Sequence, residues 1–269
     1  MLGKKQNVHA QAQWLQAYLD ALRLVPTAQL EALIEQTVAQ IKHVCQGKTV
    51  GVAWSGGKDS LVLEKVMALA GYTDSVLVLT HLEYPAFVRW VHAHQPPHLT
   101  IVHTYHDLAW LRAHPDMLFP RDSAVSARWF HQVQHAGQDL FFRKHRLHVL
   151  ALGRRRIEGN YCGNGGLYTT SKGVTRYSPL MLWTHEQIFA ALHYFDCPLP
   201  PCYTWPRGFA VGTGPWAKRR FHSSLEYVWS ELWQIDQTIV LEAAKVLPAA
   251  AAYLAVRDTD AILGAQEHD

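Results

Sequence analysis

The sequence predicts an α/β fold: an open, doubly wound, mostly parallel sheet of about five strands, with helical additions at both ends of the chain. Two observations carry this. From Thr49 onward, short apolar runs alternate with stretches of helical period: TVGVAW (49–54), SVLVLT (75–80), LTIVHT (99–104) and LHVLALG (147–153) are separated by helix-period segments at about 58–70, 84–94, 106–113 and 123–146. The runs are also apolar at successive positions rather than at every second one, as in strands covered on both faces, which belong to parallel sheets with right-handed crossovers. RYSPL (176–180) is a weaker fifth strand.

Ahead of the sheet, residues 10–46 read as two helices parted by Pro26. The second carries Leu30, Leu33, Ile34, Val38, Ile41 and Val44 at helical spacing, with Thr27 as its expected N-cap and Gly47 as its stop. Behind the sheet, T-H-E-Q from Thr184 matches a capping box ahead of Ile188, Phe189 and Leu192. That helix ends before Pro198, Pro200 and Pro201; residues 203–216 are a Gly- and Pro-punctuated loop, and about 217–234 and 236–255 read as closing helices. The expected organisation is a helical extension over 1–47, an α/β domain over 48–203, and a loop with helices packed on the core over 204–269.

Composition narrows the class. The chain has 269 residues, 49% hydrophobic and 17% charged, enough to bury a sizeable core. The start, MLGKKQNVHAQAQW, leads into no apolar segment of a secretory signal, and no run approaches a membrane span. Cys45, Cys162, Cys197 and Cys202 are too few for a disulfide framework and contain no C-x-x-C. A cytoplasmic protein without a membrane partner is expected. A net charge of +3 is too small to establish a polyanion partner, so local clusters matter more: FFRKHRLH (141–148), GRRR (153–156) and WAKRRFH (216–222), which would attract a nucleotide or nucleic acid if they shared one face.

The first candidate site is AWSGGKDSLVLEKV (53–66), where a buried strand gives way to a helix. In an open parallel sheet, ligands bind beyond the carboxyl ends of the strands, and a strand-to-helix turn there turns free amides outward. Gly56 and Gly57 permit close approach, the helix start carries partial positive charge, and Ser55, Lys58 and Ser60 add donors, so a phosphate is the natural guest. Two other phosphate loops fail: Walker A would need glycine at Val52 and a hydroxyl at Asp59, and no G-x-G-x-x-G is present.

S-G-G-K-D-S directly after a buried strand resembles the signature of the PP-loop family, the ATP pyrophosphatase and adenine nucleotide alpha hydrolase group, and implies its Rossmann-like fold. The resemblance narrows to the phosphoadenosine phosphosulfate reductase-like branch through further stretches. Leu79-Thr80-His81-Leu82-Glu83-Tyr84-Pro85 is similar to the branch's D-T-G-L-E-F-P, with Leu79 for its aspartate and His81 for its glycine. Gly153-Arg154-Arg155-Arg156-Ile157-Glu158 is similar to G-V-R-x-x-E. Pro179 to Thr184 with the following helix, Pro198 and Tyr203 is similar to P-I-x-D-W-T-E and its proline–aromatic turn, with Leu182 for the aspartate and Trp183 as a packing residue. Arg128-Trp129 resembles R-W-C.

The resemblance implies ATP with Mg2+, its outer phosphates held by Ser55, Gly56, Gly57, Lys58, Asp59 and Ser60, and its adenosine near Thr80, His81 and Glu83. Lys58 and Arg155 are the expected stabilisers of charge on the leaving pyrophosphate, and Asp59 the expected loop-orienting or metal-holding carboxylate. Arg128, Arg154, Arg155 and Glu158 are the expected substrate contacts. The implied reaction cleaves ATP between its α and β phosphates and adenylylates an acceptor (sulfate, a small metabolite or a nucleic acid), which a partner enzyme would then use. The acceptor and the oligomeric state are not legible.

The branch's reductases instead carry a nucleophilic cysteine in E-C-G-[IL]-H near the C-terminus, often beside an iron–sulfur cluster; nothing after Cys202 supplies it, so no cluster is expected. Two alternatives stay open: a sulfonucleotide reductase using other cysteines, Cys162 foremost, and a non-catalytic nucleotide- or nucleic-acid-binding module. His131 and His135 lack the glutamate of a zincin helix, and His193, Cys197 and Cys202 lack a zinc pattern.

Overall fold

The computed structural model describes residues 10–266, with side chains described up to residue 257; the opening nine residues of the expected N-terminal extension lie outside them. Six strands form one mostly parallel sheet: β1 (Val50–Ala53), β2 (Ser75–Leu79), β3 (Leu99–His103), β4 (Val149–Leu152), β5 (Leu167–Thr169) and β6 (Thr175–Tyr177), in the order β3-β2-β1-β4-β6-β5. β1 runs parallel to β2 and β4, β4 parallel to β6, and β5 antiparallel to β6. The four strongest expected strands are present within two residues of their predicted ends. β5 is added to the expected set, as the outer arm of a hairpin in the glycine-rich segment after β4.

β1 and β4 pair in register, Val50 with Val149 through Ala53 with Leu152, so both strands end level. All eight residues are buried, as the unbroken apolar runs require. The strand order reverses here. From β1 the chain crosses to β2 on one side, and β4 lies on the other, which makes the β1/β4 carboxyl edge the crevice where an open α/β sheet takes its ligand.

The chain divides into two compact units. The first comprises residues up to Val78, Ala86–Val102 and Ala136–Thr213, and contains the β1/β4 edge. In it, the helix Lys58–Leu69 packs against the helices Thr27–Cys45 and His185–Tyr194, and Trp14 and Tyr18 of the helix Gln11–Leu19 meet Phe189 edge-on. The second comprises Leu79–Pro85, His103–His135 and the chain from Gly214 onward. Its interior is built on Phe119, Trp216 and Trp229, with Arg219 buried against Glu231 and Tyr84.

Several local expectations change. Thr27 is the first helical residue rather than the N-cap, a place taken by Pro26, and its side chain caps nothing. The expected helix 123–146 is interrupted by a π-helical stretch, Phe130–His135, which ends where the chain leaves the second unit. The closing helix expected over 236–255 is two helices, Gln237–Ala244 and Pro248–Gln266, bent by 118°, because Pro248 lacks an N–H and disfavours helical torsions in the residue before it. Among the described residues no single helix is long and apolar enough to cross a membrane. The capping box holds: Thr184 Oγ1 accepts from the Gln187 amide at 3.2 Å, and Gln187 Oε1 from the Thr184 amide at 2.8 Å.

Candidate active site

The turn after β1 is shaped by its own hydroxyls. Gly56 takes φ +67°, where a side chain is strained and would also meet Phe87 and Trp90 at 3.1 Å. Ser60 Oγ, in the first turn of the helix, donates to the Gly57 carbonyl at 2.9 Å and accepts from the Ser55 amide at 3.1 Å. Ser55 Oγ in turn accepts from the Gly57 amide at 3.3 Å. Gly57 is the N-cap of the twelve-residue helix Lys58–Leu69 and has no side chain to satisfy the helix's first amides. The turn therefore ends on a helix N-terminus whose partial positive charge and donors suit an anion.

Four of the expected site residues meet beneath this turn. Lys58 Nζ donates to Asp59 Oδ2 at 2.5 Å and to Glu158 Oε1 at 2.8 Å. Arg155 Nε donates to Asp59 Oδ1 at 2.7 Å, and its NH2 nitrogen donates to Glu158 Oε1 at 3.1 Å and to His185 Nδ1 at 3.0 Å. Its NH1 nitrogen donates to the Trp183 carbonyl at 3.1 Å. The loops after β1 and β4 thus join in a buried set of two cations and two carboxylates, and they touch so closely that a Cβ on Gly153 would stand 3.1 Å from the Asp59 backbone. Breaking one member of such a set is expensive because it strands a buried charge.

This geometry changes what those residues can do. Arg155 is fully buried, with four of its five donors spent within the chain. Lys58 is 3% exposed and points into the same set. Both Asp59 oxygens accept from cations, which leaves no carboxylate at the loop for a resident magnesium ion. Among the described residues no group of three His, Cys, Asp or Glu could hold a metal. The chain's residues therefore do not fit a metal site of their own here.

His185 joins the set although no motif in the sequence assigns it there. It is the first residue of its helix, fully buried, with Trp14 edge-on at 4.8 Å. Because guanidinium only donates, Nδ1 must be the acceptor and the ring proton sits on Nε2. Burial, followed by the charges of Arg155 and Lys58, lowers its pKa to about 4. The Tyr203 hydroxyl is a second such member: it accepts from the Lys58 amide at 2.9 Å. Its only signal in the sequence is the proline–aromatic turn, which says nothing of the hydroxyl.

The other expected residues make contacts of their own. Arg154 NH1 donates to Tyr168 OH at 2.5 Å, and exposed Arg156 reaches the Gly163 carbonyl, both along the β5–β6 side. Thr80, His81 and Glu83 belong to the second unit. There Glu83 folds back to accept from the Thr80 amide and hydroxyl at 2.8 and 2.9 Å, burial raises its pKa, and His81 is exposed. Arg128, also in that unit, is a surface residue paired with Asp116 at 2.7 Å. Two of the basic clusters lie at opposite edges of the sheet. Exposed Arg143 to Arg146 and His148 precede β4 at the amino edge of the sheet, whereas Arg154 to Arg156 follow it at the carboxyl edge. All four cysteines are free and buried, and burial raises the thiol pKa of Cys162 and lifts Cys45 and Cys197 to about 11. None is the exposed thiol that nucleophilic chemistry needs.

No known family profile matches the chain, and no curated protein matches it in sequence. Among solved structures it is similar to phosphoadenylyl-sulfate (PAPS) reductase from Candida auris in a phosphate complex, at 16% identity and a TM-score of 0.49, over 71% of this chain and 95% of that one. It is also similar to NMN synthetase from Francisella tularensis, at 14% identity and a TM-score of 0.41, over 83% of this chain and 92% of that one. The first of these proteins bears the name of the branch that the sequence motifs resemble. At these scores neither likeness carries an argument about activity.

Proposed function

We propose that this chain is a PP-loop enzyme that binds ATP at Ser55–Ser60 and cleaves it between the α and β phosphates, adenylylating an acceptor and releasing pyrophosphate. The observation that carries the reading is the position of the S-G-G-K-D-S turn: at the carboxyl end of β1, at the reversal of strand order, opening directly onto a helix N-terminus. The helix N-terminus, held in shape by the Ser55 and Ser60 hydroxyls, favours a polyphosphate and stabilises the charge that grows on pyrophosphate as it leaves. This is preorganised electrostatics, with no side-chain nucleophile.

In this reading Lys58, Asp59, Arg155, Glu158 and His185 are positioning residues. They lock the loops after β1 and β4 together so that the amides keep their geometry. Magnesium belongs to the substrate, as MgATP, rather than to a site on the chain. The burial of all four thiols favours this chemistry over a cysteine-based reductase. The test is incubation with α-labelled ATP and panels of sulfate, small-metabolite and nucleic-acid acceptors. Release of pyrophosphate with label on an acceptor is the expected result; release of orthophosphate alone overturns the proposal.

A further inference from the structure

Three hydroxyls from three separate segments converge above Gly57. The point at which a Cβ on Gly57 would stand lies 3.2 Å from Thr213 Oγ1, 3.3 Å from Ser55 Oγ and 3.4 Å from Tyr203 OH. Ser55 belongs to the turn itself. Tyr203 comes from the 3-10 turn Pro201–Thr204, where its carbonyl accepts from Gln11 Nε2 at 2.6 Å and its ring packs 4.9 Å from that of Phe209. Thr213 follows the short helix Gly208–Val211.

The Tyr203 hydroxyl is only half used. It is 4% exposed and accepts from the Lys58 amide, but its own hydrogen has no acceptor among the described residues. Burial, reinforced by the charges of Cys202 and Asp59, raises its pKa well above 10, so the hydrogen stays in place at neutral pH. The Thr213 hydroxyl makes no hydrogen bond among the described residues. A helix-capping role accounts for the bond between Tyr203 and the Lys58 amide; it does not account for a second unpaired hydroxyl aimed at the same point. A buried donor without an acceptor, as the Tyr203 hydrogen is, is costly unless a ligand or water meets it; the Thr213 hydroxyl beside it is half-buried.

Resting on the reading above, we infer that the hydroxyls of Tyr203 and Thr213 are donors to one oxygen of the pyrophosphate half of the nucleotide. The loop then grips its anion through uncharged donors from both sides: the Ser55–Ser60 turn below, and the 203–213 segment above. The cations Lys58 and Arg155 are committed to carboxylates and do not compete for this contact.

The test is calorimetric titration with pyrophosphate, MgATP and AMP of the wild type, Tyr203→Phe, Thr213→Val and Thr213→Ser. Loss of one hydrogen bond to a charged group weakens pyrophosphate and MgATP binding by roughly tenfold or more in Tyr203→Phe and in Thr213→Val. Thr213→Ser retains wild-type affinity, and AMP binding is the same in all four. Tyr203→Phe also deprives a buried amide of its acceptor, so Thr213→Val, which keeps shape and backbone bonding, is the cleaner arm. Unchanged pyrophosphate affinity in both hydroxyl-deleting variants overturns the inference alone. A wild-type protein that binds neither pyrophosphate nor MgATP overturns the functional reading, and this inference with it.

Discussion

Acidification provides a measurable test of how the buried set under the loop is wired. His185 accepts from Arg155 through Nδ1, so a proton arriving at Nδ1 would set N–H against N–H in a fully buried place. Its pKa falls from the ordinary 6.5 to about 4 in the folded chain. A histidine with a lowered folded pKa binds fewer protons folded than unfolded, so its contribution to stability is present above 6.5 and is lost as pH falls toward 4. Between those limits each step of one in pH is worth about 1.4 kcal/mol, so going from pH 7 to pH 5 removes about 2 kcal/mol. His185→Gln offers Arg155 a non-titrating oxygen acceptor. Urea unfolding of both proteins at pH 7, 6 and 5 should give curves that converge as pH falls, the wild type losing about 2 kcal/mol more than the variant. Nitrogen NMR of the wild type at pH 7 should find the ring proton on Nε2. Parallel stability curves, or a protonated Nδ1 at pH 7, would refute the wiring.

Two further substitutions separate the scaffold from the cradle. Glu158→Ala leaves Lys58 and Arg155 sharing one carboxylate in a buried place, and should cost about 3–5 kcal/mol by urea unfolding, with Glu158→Gln costing less. Gly57→Ala should do the reverse. Its φ of −78° and ψ of 156° are open to alanine, so stability should shift by no more than about 1 kcal/mol in thermal melts. The added methyl occupies the space among the three hydroxyls, and pyrophosphate affinity should fall by about tenfold or more.

Much of the scaffold is legible in the sequence because it depends on local pattern. Uninterrupted apolar runs mark β1 to β4, and T-H-E-Q marks the start of its helix through a bond spanning three residues. The S-G-G-K-D-S turn can be read because its chemistry lies in adjacent residues at a strand end. β5 escapes such reading because three half-buried or exposed residues in a glycine-rich stretch have no periodicity. The bend near residue 246 does have a mark, Pro248, which the expectation of one helix over 236–255 passes over. The side chains under the loop differ from expectation for another reason. Lys58 meets Glu158 across 100 residues of sequence, Arg155 meets His185 across 30, and the Lys58 amide meets Tyr203 across 145. A lysine and an arginine at a ligand edge suggest cations facing an anion. Which way they turn is fixed by carboxylates whose distance in space no motif records.

That turn inward sets the physics of the proposed site. Two cations and two carboxylates cancel under the loop, and His185, held neutral by its surroundings, adds no charge. What the proposed site offers a polyphosphate is dipolar: the helix N-terminus and the hydroxyls of Tyr203 and Thr213. Dipoles fixed by a buried ionic lattice do not reorganise when charge moves during reaction, whereas a lysine on a flexible stem would have to be ordered by the ligand. The lattice therefore contributes rigidity in place of direct attraction. Its loss should loosen the turn and so weaken the proposed cradle.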